Sequence, residues 1–536
     1  MSIKRTLATT AAAGLLAVAA AACSSANTPS PSTGTPDNQT DAKLPITASI
    51  YDRGSVPSEA GTVENNFWTD WINDNGPAQA SFVAIPRGEA VQKFNVLLAS
   101  KSAPDLIFEF DGAFRGQLYD TKAILPVDEL IETHSTVYKE LIEQYPALLK
   151  VATKEDGKMY EFGRVSRTGA DMSMFIRMDW LEELGLEVPT TAEELFEVAL
   201  AFTKDDPDRN GQQDTFGMDM SSLIDMMFQN VTWVVEDGRL VKDWDRLQAA
   251  VEFKKRLYDA GIVDKDFLTD KNGEKAKQDW INGKVGIYAG RVHHVNQLIP
   301  YESFRKNNPE GRIEVIALPA SSFGQFSPNL NNPVQMTAVI NAGAKHPEAV
   351  MKYVDFMASE STMMTMKYGF EGEHYEMGDN GCPVQLDPEK FQKEVSWNLD
   401  FSMLFSSILL GDCGVQKGQL NPQVALEKEF IELVEQADAL YMDASRPMAN
   451  LTHPEHMPAL PQDLRQISTA VTEAITEQTN KAIIAGASFT TEQAIAAAKE
   501  IWTQSGGTQL EEFHANWYEA NKDTAFLAKD MLEFIQ

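Results

Sequence analysis

The chain of 536 residues is 43% hydrophobic and 9% aromatic, and its 78 acidic side chains outnumber 46 basic ones, for a formal net charge of −32. This length is too great for one hydrophobic core, so we expect a globular protein with at least two compact parts. The negative charge argues against a nucleic-acid partner and against binding to an anionic membrane through a basic patch.

The first 23 residues have the pattern of a secretion signal. Lys4 and Arg5 form a positive start, residues 7–22 form a short apolar segment, and small residues precede Cys23. The ending AAAC resembles the bacterial lipobox, in which the cysteine is lipidated; ordinary cleavage to a secreted product is the alternative. Residues 24–43 are rich in Ser, Thr and Pro, which predicts a flexible tether.

The next part of the chain alternates strand and helix patterns. A continuous apolar run lies between Pro104 and Gly112 and is typical of a strand that is covered on both faces. The alternation therefore predicts α/β layers. The elements expected before this run are a strand over 44–51, a helix over 63–73, a strand over 80–86 and a helix over 89–100.

A capped amphipathic helix follows in the stretch from Arg177 to Met220. Thr191 and Glu194 have the spacing of a capping box, and the apolar residues after them fall on one helical face. We expect this helix to pack on a sheet and to lead into a loop that is rich in oxygen ligands.

The loop has the ligand spacing of a calcium site. Positions 1, 3, 5, 7 and 9 are occupied by Asp206, Asp208, Asn210, Gln212 (through its carbonyl) and Asp214. Gly217 stands at position 12, where a bidentate Glu is usual, so Thr215 or a water would complete the shell. We expect a structural calcium ion of weak affinity; a polar turn that holds no ion is the alternative.

The remaining chain continues the α/β pattern and ends in helices. A strand near 334 leads into a helix with Pro347 in its first turn, where proline is favoured. The other expected elements are a helix over 245–260, a strand over 285–289, a helix from Leu464 onward, and helices over 492–504 and 510–521.

Three motifs together resemble one protein family. They are MDWLEELGLEVPTTAEEL from residue 178, DDPDRNGQQDTFG from residue 205 and YGFEGEHYE from residue 368. They are similar to motifs of the extracellular solute-binding lipoproteins of carbohydrate ABC transporters, in the LplA-like and alginate-binding subgroup. The resemblance covers essentially the whole mature chain.

The resemblance implies a two-lobed α/β fold like that of periplasmic binding proteins, with hinge strands between the lobes and a large helical C-terminal part. It assigns residues 44–164 and 322–385 to the first lobe, and residues 165–321 and 386–536 to the second. It also implies a monomer, lipid-anchored on the extracellular face of the bacterial cytoplasmic membrane. Such a protein captures a carbohydrate between its lobes and delivers it to an ABC permease.

Candidate ligand contacts follow the predicted strands, because the carboxyl ends of strands in open α/β sheets face the binding crevice. Aromatic faces and charged side chains are what sugar recognition requires. The candidates are Tyr51, Arg53, Glu109, Asp111, Trp233, Tyr288, Arg291, His293 with its neighbour His294, and Trp397. Trp233 and Trp397 have a core position as their alternative, and Trp68, Trp71 and Trp180 are better read as core residues.

Enzymatic alternatives find little support in the motifs. No H-E-x-x-H, G-x-S-x-G or P-loop pattern occurs, and the pair His453 and His456 lies beside prolines in a predicted loop. A secreted glycoside hydrolase or lyase and a peptide-binding surface receptor remain the rival hypotheses. Cys382 and Cys413 are the only cysteines after Cys23. They either form a disulfide or remain as two buried thiols.

Overall fold

The structure is a computed structural model that describes residues 43–270, 272–293 and 297–535. The predicted signal with the lipidation candidate Cys23, the tether up to residue 42, and His294 lie outside the described residues. Strands and helices alternate along most of the described chain, which confirms the α/β prediction.

The strands are short, and most belong to one of two larger sheets. In chain order they are β1 (Pro45–Asp52), β2 (Gly61–Thr62), β3 (Asn65–Asn66), β4 (Gln79–Pro86), β5 (Leu106–Phe108), β6 (Glu161–Val165), β7 (Ser173–Arg177), β8 (Phe216–Met218), β9 (Val234–Glu236), β10 (Arg239–Val241), β11 (Val285–Gly290), β12 (Ile313–Ile316), β13 (Val334–Ile340), β14 (Tyr375–Met377) and β15 (Pro383–Gln385).

The helices are longer toward the carboxyl terminus. They are α1 (Phe67–Asn75), α2 (Ala90–Ala99), α3 (Gly112–Asp120), α4 (Asp128–His134), α5 (Val137–Gln144), α6 (Ala147–Ala152), α7 (Met178–Leu184), α8 (Ala192–Lys204), α9 (Leu223–Met227), α10 (Trp244–Ala260), α11 (Glu274–Ile281), α12 (Leu298–Asn307), α13 (Pro347–Ala358), α14 (Glu360–Tyr368), α15 (Pro388–Glu394), α16 (Ala425–Tyr441), α17 (Gln462–Ile484), α18 (Thr491–Gln504), α19 (Gly507–Asn521) and α20 (Ala528–Met531). Within the described ranges, none of them combines the length and the apolar character needed to cross a bilayer.

The first lobe is built on a five-stranded sheet in the order β4-β1-β5-β13-β6. β1 pairs in parallel with β4 and β5, whereas β13 runs antiparallel to β5 and β6. Ala48 and Leu106 are fully buried, and Phe94 of α2 and Val354 of α13 belong to the same hydrophobic cluster. Helices therefore cover this sheet, as the continuous apolar run of β5 predicts.

The second lobe is built on a four-stranded sheet in the order β12-β7-β11-β8. β7 is antiparallel to both neighbours, and β8 is parallel to β11. Trp180 of α7 and Phe202 of α8 meet edge to face at 5.3 Å and are buried in a second hydrophobic cluster. The capping box predicted for α8 is present, since Thr191 and Glu194 each accept a backbone N–H of the other. Two sheets with separate cores account for the length of the chain.

Two extended connectors join the lobes, one between β6 and β7 and the other between β12 and β13. They are paired with each other, because the N–H of Asp171 donates to the carbonyl of Asn329 at 2.8 Å and the N–H of Asn331 donates to that of Gly169 at 2.9 Å. These paired segments lie where the resemblance places the hinge strands between the lobes.

Residues 386–536 were all predicted to belong to the second lobe, but parts of this segment cross back to the first. The 3₁₀ segment Ser396–Leu404 packs into the first core, where the hydroxyl of Thr337 donates to the carbonyl of Met403 at 2.7 Å. The end of the chain, with Phe526 and Phe534, also joins the first core. Helical periodicity shows that a segment has an apolar face, but it does not say which sheet covers that face.

The C-terminal helices pack mainly on the second lobe. α16 places Phe430 and Val434 in the second core. α17, α18 and α19 pack on one another, α17 and α18 also pack on α10, and α19 packs on β10. Small hydrophobic clusters form between them, with Trp502 buried at the centre of one. These helices form the large helical C-terminal part that was predicted.

A disulfide joins Cys382 and Cys413. It connects the hairpin of β14 and β15 with a 3₁₀ segment, Ser407–Gly414, that packs beside the first core. The sequence left the pairing open, and the structure places the two sulfur atoms at bonding distance.

Candidate functional site

Most of the candidate side chains lie where the strands of both sheets end beside the connectors. In the first lobe, β1, β4 and β5 run in parallel and end on the same edge. In the second lobe, β8 and β11 end on the edge at which β7 begins after its connector. Residues that directly follow these strands therefore line the two edges that adjoin the hinge.

The first-lobe edge carries a cluster of guanidinium groups and aromatic rings, which we call the arginine ladder: Arg53, Tyr51, Arg87, Phe110 and Arg164. The rings of Tyr51 and Phe110 stack on each other with their centres 5.8 Å apart. The guanidinium carbons of Arg53 and Arg87 lie 5.5 and 4.6 Å from the ring centre of Tyr51. Those of Arg87 and Arg164 lie 5.6 and 5.5 Å from the ring centre of Phe110. These distances are within the range of cation–π attraction, which holds the guanidinium groups beside the two rings.

Tyr51, Glu109 and Asp111 stabilise the loop that carries this edge. The hydroxyl of Tyr51 donates to Glu109 Oε1 at 2.8 Å, and the N–H of Asp111 donates to the same oxygen at 2.8 Å. Burial and the Glu109 charge raise the pKa of the Tyr51 hydroxyl. Asp111 caps α3 by accepting from the N–H groups of Ala113 and Phe114. Their hydrogen bonds are thus internal. Tyr51 is only 1% exposed and Glu109 is fully buried, so the Tyr51 ring lies beneath the guanidinium groups and does not face solvent.

The second-lobe edge opens into a cavity of about 470 Å³. Tyr288 stacks on Trp280 with ring centres 4.9 Å apart, and both rings line the cavity. Arg291 donates to the carboxylate of Asp171 at 2.5 Å. Asp219, directly after β8, accepts from the N–H of Ala289 at 3.1 Å, and burial raises the pKa of its carboxyl to about 7. This edge thus combines an aromatic stack with a paired cation and a poorly solvated carboxyl group.

His293 lies next to this edge, where its Nε2 is 3.3 Å from an oxygen of Asp438 on α16. Burial raises the pKa of the Asp438 carboxyl to about 6. The contact joins the loop after β11 to a helix of the same lobe. His293 therefore stands at the rim of the edge with its ring directed at a carboxylate.

A smaller cavity of about 260 Å³ lies against the connectors. Its walls include Asp171, Asn329 and Asn331 from the paired connectors and His453 from a later crossing. The amide oxygen of Asn329 is buried and has no hydrogen-bond partner in the described structure. The hinge thus has space lined by polar groups on one of its surfaces.

The predicted calcium loop brings its carboxylates together around one amide. Asp206 adopts a positive φ of 49° and accepts from the N–H groups of Asn210 and Gly211. The side-chain amide of Asn210 donates to Asp208 at 2.9 Å and to Asp214 at 3.0 Å. Burial, followed by the neighbouring carboxylates, raises the pKa of Asp208. Such crowding of carboxylates favours a cation between them.

Position 12 of the loop cannot hold a side chain. A Cβ on Gly217 would lie 1.9 Å from the carbonyl oxygen of Ala199, so only glycine fits between α8 and β8. The remaining donors are hard oxygen atoms, which fit a calcium ion. For Asn210 to ligate through its oxygen, its amide must rotate from the orientation in which the nitrogen bridges two carboxylates.

A second group of metal-binding residue types, Glu373, His374 and Glu394, has ligand atoms within 4.8 Å of one another. His374 Nδ1 accepts from the N–H of Phe370 at 3.0 Å, so the neutral ring carries its proton on Nε2. That nitrogen lies 3.1 Å from Glu394 and donates to it. Neither ring nitrogen has a free lone pair for a metal, and the group serves to hold the YGFEGEHYE turn.

Residues 74–364 match the model of a family described as bacterial extracellular solute-binding protein. This match covers more than half of the chain. The chain belongs to the bacterial extracellular solute-binding proteins.

Two curated relatives and one solved structure are among the similar proteins. The polygalacturonan/rhamnogalacturonan-binding protein YtcQ of Bacillus subtilis (strain 168) is 28% identical over 320 residues, which cover 55% of this chain and 61% of YtcQ. The fructooligosaccharide ABC transporter substrate-binding protein FusA of Streptococcus pneumoniae serotype 4 is 26% identical and covers 54% of this chain and 56% of FusA. The matches span less than two thirds of either relative.

The solved structure is an HMO-binding, ABC-transporter-associated solute-binding protein from Bifidobacterium longum infantis. Its TM-score is 0.70 at 16% identity, and the match covers 89% of this chain and 99% of that chain. At this identity the likeness concerns the fold alone. It confirms the predicted two-lobed architecture of this solute-binding protein.

Two of the candidate ligand residues do not lie on either edge of the solute-binding protein. Trp397 is only 8% exposed, its indole N–H donates to the carbonyl of Lys393, and it belongs to the first core. Trp233 packs against Trp502 and His514 among the C-terminal helices. Both tryptophans are therefore packed side chains and not ligand contacts, which is the alternative that the sequence left open. Their bulk is needed where helices dock, and no strand end presents them to the hinge.

Three residues on the edges were missed in the sequence, namely Arg87, Arg164 and Asp219. Arg87 follows β4 and Asp219 follows β8, so the rule that found Arg53 after β1 would also have found them. Arg164 lies inside β6, and only its pairing with β13 brings it beside Phe110.

Proposed function

We propose that this solute-binding protein captures a carbohydrate between its lobes and delivers it to a membrane permease of an ABC importer. The observation that carries the proposal is the pair of strand edges beside the connectors, one with the arginine ladder and one with the Trp280 and Tyr288 stack. Ring faces and charged hydrogen-bonding groups are the combination that sugar sites use. The ligands for which YtcQ and FusA are named, both saccharides, support the same class.

Capture follows from a hinge equilibrium. A ligand that contacts both edges satisfies its hydrogen bonds only when the lobes are closed, so binding favours the closed form. The connectors can carry this motion because they are extended and paired mainly through backbone groups near Gly169 and Asn331. A permease that recognises the closed form would then receive loaded protein in preference to empty protein.

The calcium proposal is structural. Asp206, Asp208, Asn210, Asp214 and the carbonyl of Gln212 would hold the ion, which would fix the turn between α8 and β8. Support comes from the crowded carboxylates and from the hard oxygen donors of the loop. The ion would neutralise charge and would take no part in ligand chemistry.

The location proposal rests on the amino-terminal sequence. Lipidation of Cys23 would anchor the folded part to the extracellular face of the cytoplasmic membrane through the tether, and the protein would act as a monomer. Family membership supports an extracellular location.

The proposal is tested by calorimetric titration of the full chain with a panel of oligosaccharides, together with chromatography of each mixture after prolonged incubation. The expected result is saturable binding of at least one sugar with no product formed. Hydrolysis or elimination products would favour a glycoside hydrolase or lyase. Binding of peptides, with no sugar bound, would favour the peptide receptor.

A further inference from the structure

The arginine ladder has more positive charge than its carboxylate contacts balance. Arg53 donates to Asp400 at 2.7 Å. Over the described residues, no carboxylate lies within ion-pair distance of Arg87 or of Arg164. Two of the three guanidinium groups therefore lack a contacting counter-charge.

The partners of Arg164 are uncharged. Its guanidinium donates to the amide oxygen of Gln335 at 2.9 Å and to the carbonyl of Ser402 at 3.2 Å. Burial lowers the pKa of Arg164, which shows that its charge is poorly solvated. The nearby carboxylate of Glu455 accepts from the amides of Asn332 and Gln335 instead. In the described part of the chain, no carboxylate contacts the Arg164 guanidinium, so its positive charge is only partly neutralised by its surroundings.

Arg87 contacts aromatic rings, and it acts on the carboxylate of Asp400, the partner of Arg53, without forming an ion pair with it. It lies over Tyr51 and Phe110, and it shares Phe110 with Arg164. Two like charges that contact one ring repel each other, and an anion that contacts both of them lowers this repulsion. The planar guanidinium forks of this pair are suited to an oxyanion, which they can bind through paired hydrogen bonds.

The second-lobe edge has the contrasting pattern. Its cation, Arg291, is paired with Asp171, and a paired cation and carboxylate together offer donors and acceptors to a neutral hydroxyl group. The adjacent cavity is lined by further carboxylates, among them Asp219, Asp264 and Asp270. An acidic group of a ligand is therefore disfavoured in the second lobe and favoured in the first.

We propose, on the basis of the carbohydrate function proposed above, that the ligand is an oligosaccharide carrying an oxyanion, and that Arg87 and Arg164 bind this charged group in the first lobe. The curated relatives do not decide the charge, because one is named for uronate polymers and the other for fructooligosaccharides. The ladder indicates the charge, because two of its guanidinium groups have no carboxylate of the described residues within ion-pair distance. Uronate carboxylate and sugar sulfate share the required chemistry.

The net charge of −32 does not oppose this local recognition. Charges separated by more than the Debye length of about 8 Å at physiological ionic strength are largely screened. A group in contact with the ladder responds to Arg87 and Arg164 and not to the distant surface. The net charge slows the approach of a polyanion at low salt and leaves the contact intact.

The test is a titration of the full chain with matched acidic and neutral sugars. The acidic members are galacturonate, mannuronate and guluronate trimers and a κ-carrageenan tetrasaccharide, whose charge is sulfate. The neutral members are the fully methyl-esterified galacturonate trimer and kestose. We expect an acidic member to bind at least about tenfold more tightly than its neutral counterpart, with an affinity that falls as salt is added. The identity of the tight ligand also identifies the oxyanion. A uronate trimer indicates a carboxylate, and the κ-carrageenan tetrasaccharide indicates a sulfate.

Variants at the ladder complete the test. Arg87→Gln is expected to weaken the acidic ligand by about tenfold to hundredfold, since it removes charge-assisted hydrogen bonds, and to change neutral sugars by less than about twofold. Arg87→Lys should restore only part of the affinity because it keeps the charge without the planar fork. Arg239→Gln, an exposed arginine on β10, is the matched control and should change nothing. Arg164→Gln is titrated in the same way. Its unfolding is measured as well, because Arg164 donates structural hydrogen bonds to Gln335 and Ser402.

The outcomes separate the two proposals. If kestose or the methyl ester binds as tightly as the acidic sugar, or if Arg87→Gln leaves acidic binding unchanged, the inference on charge is wrong and carbohydrate capture stands. If no sugar of any kind binds to the folded chain, carbohydrate capture fails and the inference fails with it.

Discussion

Asp219 shows how a single strand end sets the chemistry of a site. Its carboxyl group follows β8 and receives one backbone hydrogen bond, from Ala289. One such bond does not replace the water lost on burial, so the pKa of the carboxyl is raised to about 7. A raised carboxyl pKa means that ionisation favours the unfolded chain. The resulting loss of stability is absent below about pH 4, develops as the pH rises, and is complete above about pH 7.

The substitution Asp219→Asn should therefore stabilise the folded chain in a pH-dependent way. An amide keeps an acceptor for the Ala289 N–H and cannot ionise. We expect a gain of about 1 to 2 kcal/mol at pH 8, after allowance for partial solvent screening, and less than about 0.5 kcal/mol at pH 4. Urea unfolding at both pH values measures it. An equal gain at both pH values would show that ionisation of Asp219 is not the cause.

At the scale of elements, stability depends on cross-links between segments that are distant in the chain. The disulfide between Cys382 and Cys413 closes a loop with a sequence separation of 31. It attaches the hairpin of β14 and β15, which has few buried residues of its own, to the 3₁₀ segment beside the first core. The calcium loop similarly connects α8 with β8. The disulfide and the loop each connect a segment that buries little apolar surface of its own.

Removal of the disulfide should lower the stability of the first lobe. The double variant Cys382→Ser/Cys413→Ser avoids an unpaired thiol. We expect a loss of about 3 to 4 kcal/mol from the loop-closure entropy that the bond removes from the unfolded chain. Chemical unfolding of the wild-type chain with and without reductant provides the comparison. If reductant lowers the stability of the double variant as well, a cause other than this bond is at work.

Calcium should stabilise the loop between α8 and β8. With an affinity of about 10⁻⁴ to 10⁻³ M, typical of extracellular modules, 5 mM calcium is expected to add about 1 to 2 kcal/mol by linkage. Asp208→Asn should remove this gain, whereas Asp205→Asn, at an exposed position before the ligands, should retain it. Thermal unfolding with calcium and with chelator measures the difference. The absence of any calcium effect on the wild-type chain would contradict the site.

At the scale of the whole molecule, paired connectors join the two hydrophobic cores. The connectors carry the backbone bonds between Asp171 and Asn329 and between Asn331 and Gly169, which can persist while the lobes rotate. The end of the chain returns to this region, where the N–H of Thr168 donates to the carbonyl of Phe534 at 2.9 Å. The hinge is thus formed by several crossings, which favours rotation as a rigid body over local unfolding.

Ligand binding should reduce the radius of gyration in small-angle X-ray scattering. The closed form lets one ligand contact both edges, so its population rises with ligand concentration. A sugar that calorimetry shows not to bind is the control and should leave the radius unchanged. An unchanged radius with a saturating ligand would rule out closure as the capture mechanism.

Much of the fold was predictable because its signals are local. The strand at β1, the capping box of Thr191 and Glu194, and the helices α10, α13 and α18 all appear where periodicity and caps indicate. The start of α1 was predicted four residues too early, because residues 61–66 form the small hairpin of β2 and β3 and Asn66 provides the cap. Such errors arise where a turn competes with a helix.

The sequence by itself determined the α/β layers, the carboxylates of the loop from Asp206, and which side chains directly follow the strands. Tertiary structure alone decided that Trp397 lies in the first core, that Cys382 meets Cys413, and that Arg53, Arg87 and Arg164 gather around the rings of Tyr51 and Phe110. The physical reason is the distance along the chain over which each kind of signal acts. Periodicity, caps and turns act over a few residues, whereas the ladder joins three separate strand regions, whose neighbours are chosen only when the sheet assembles.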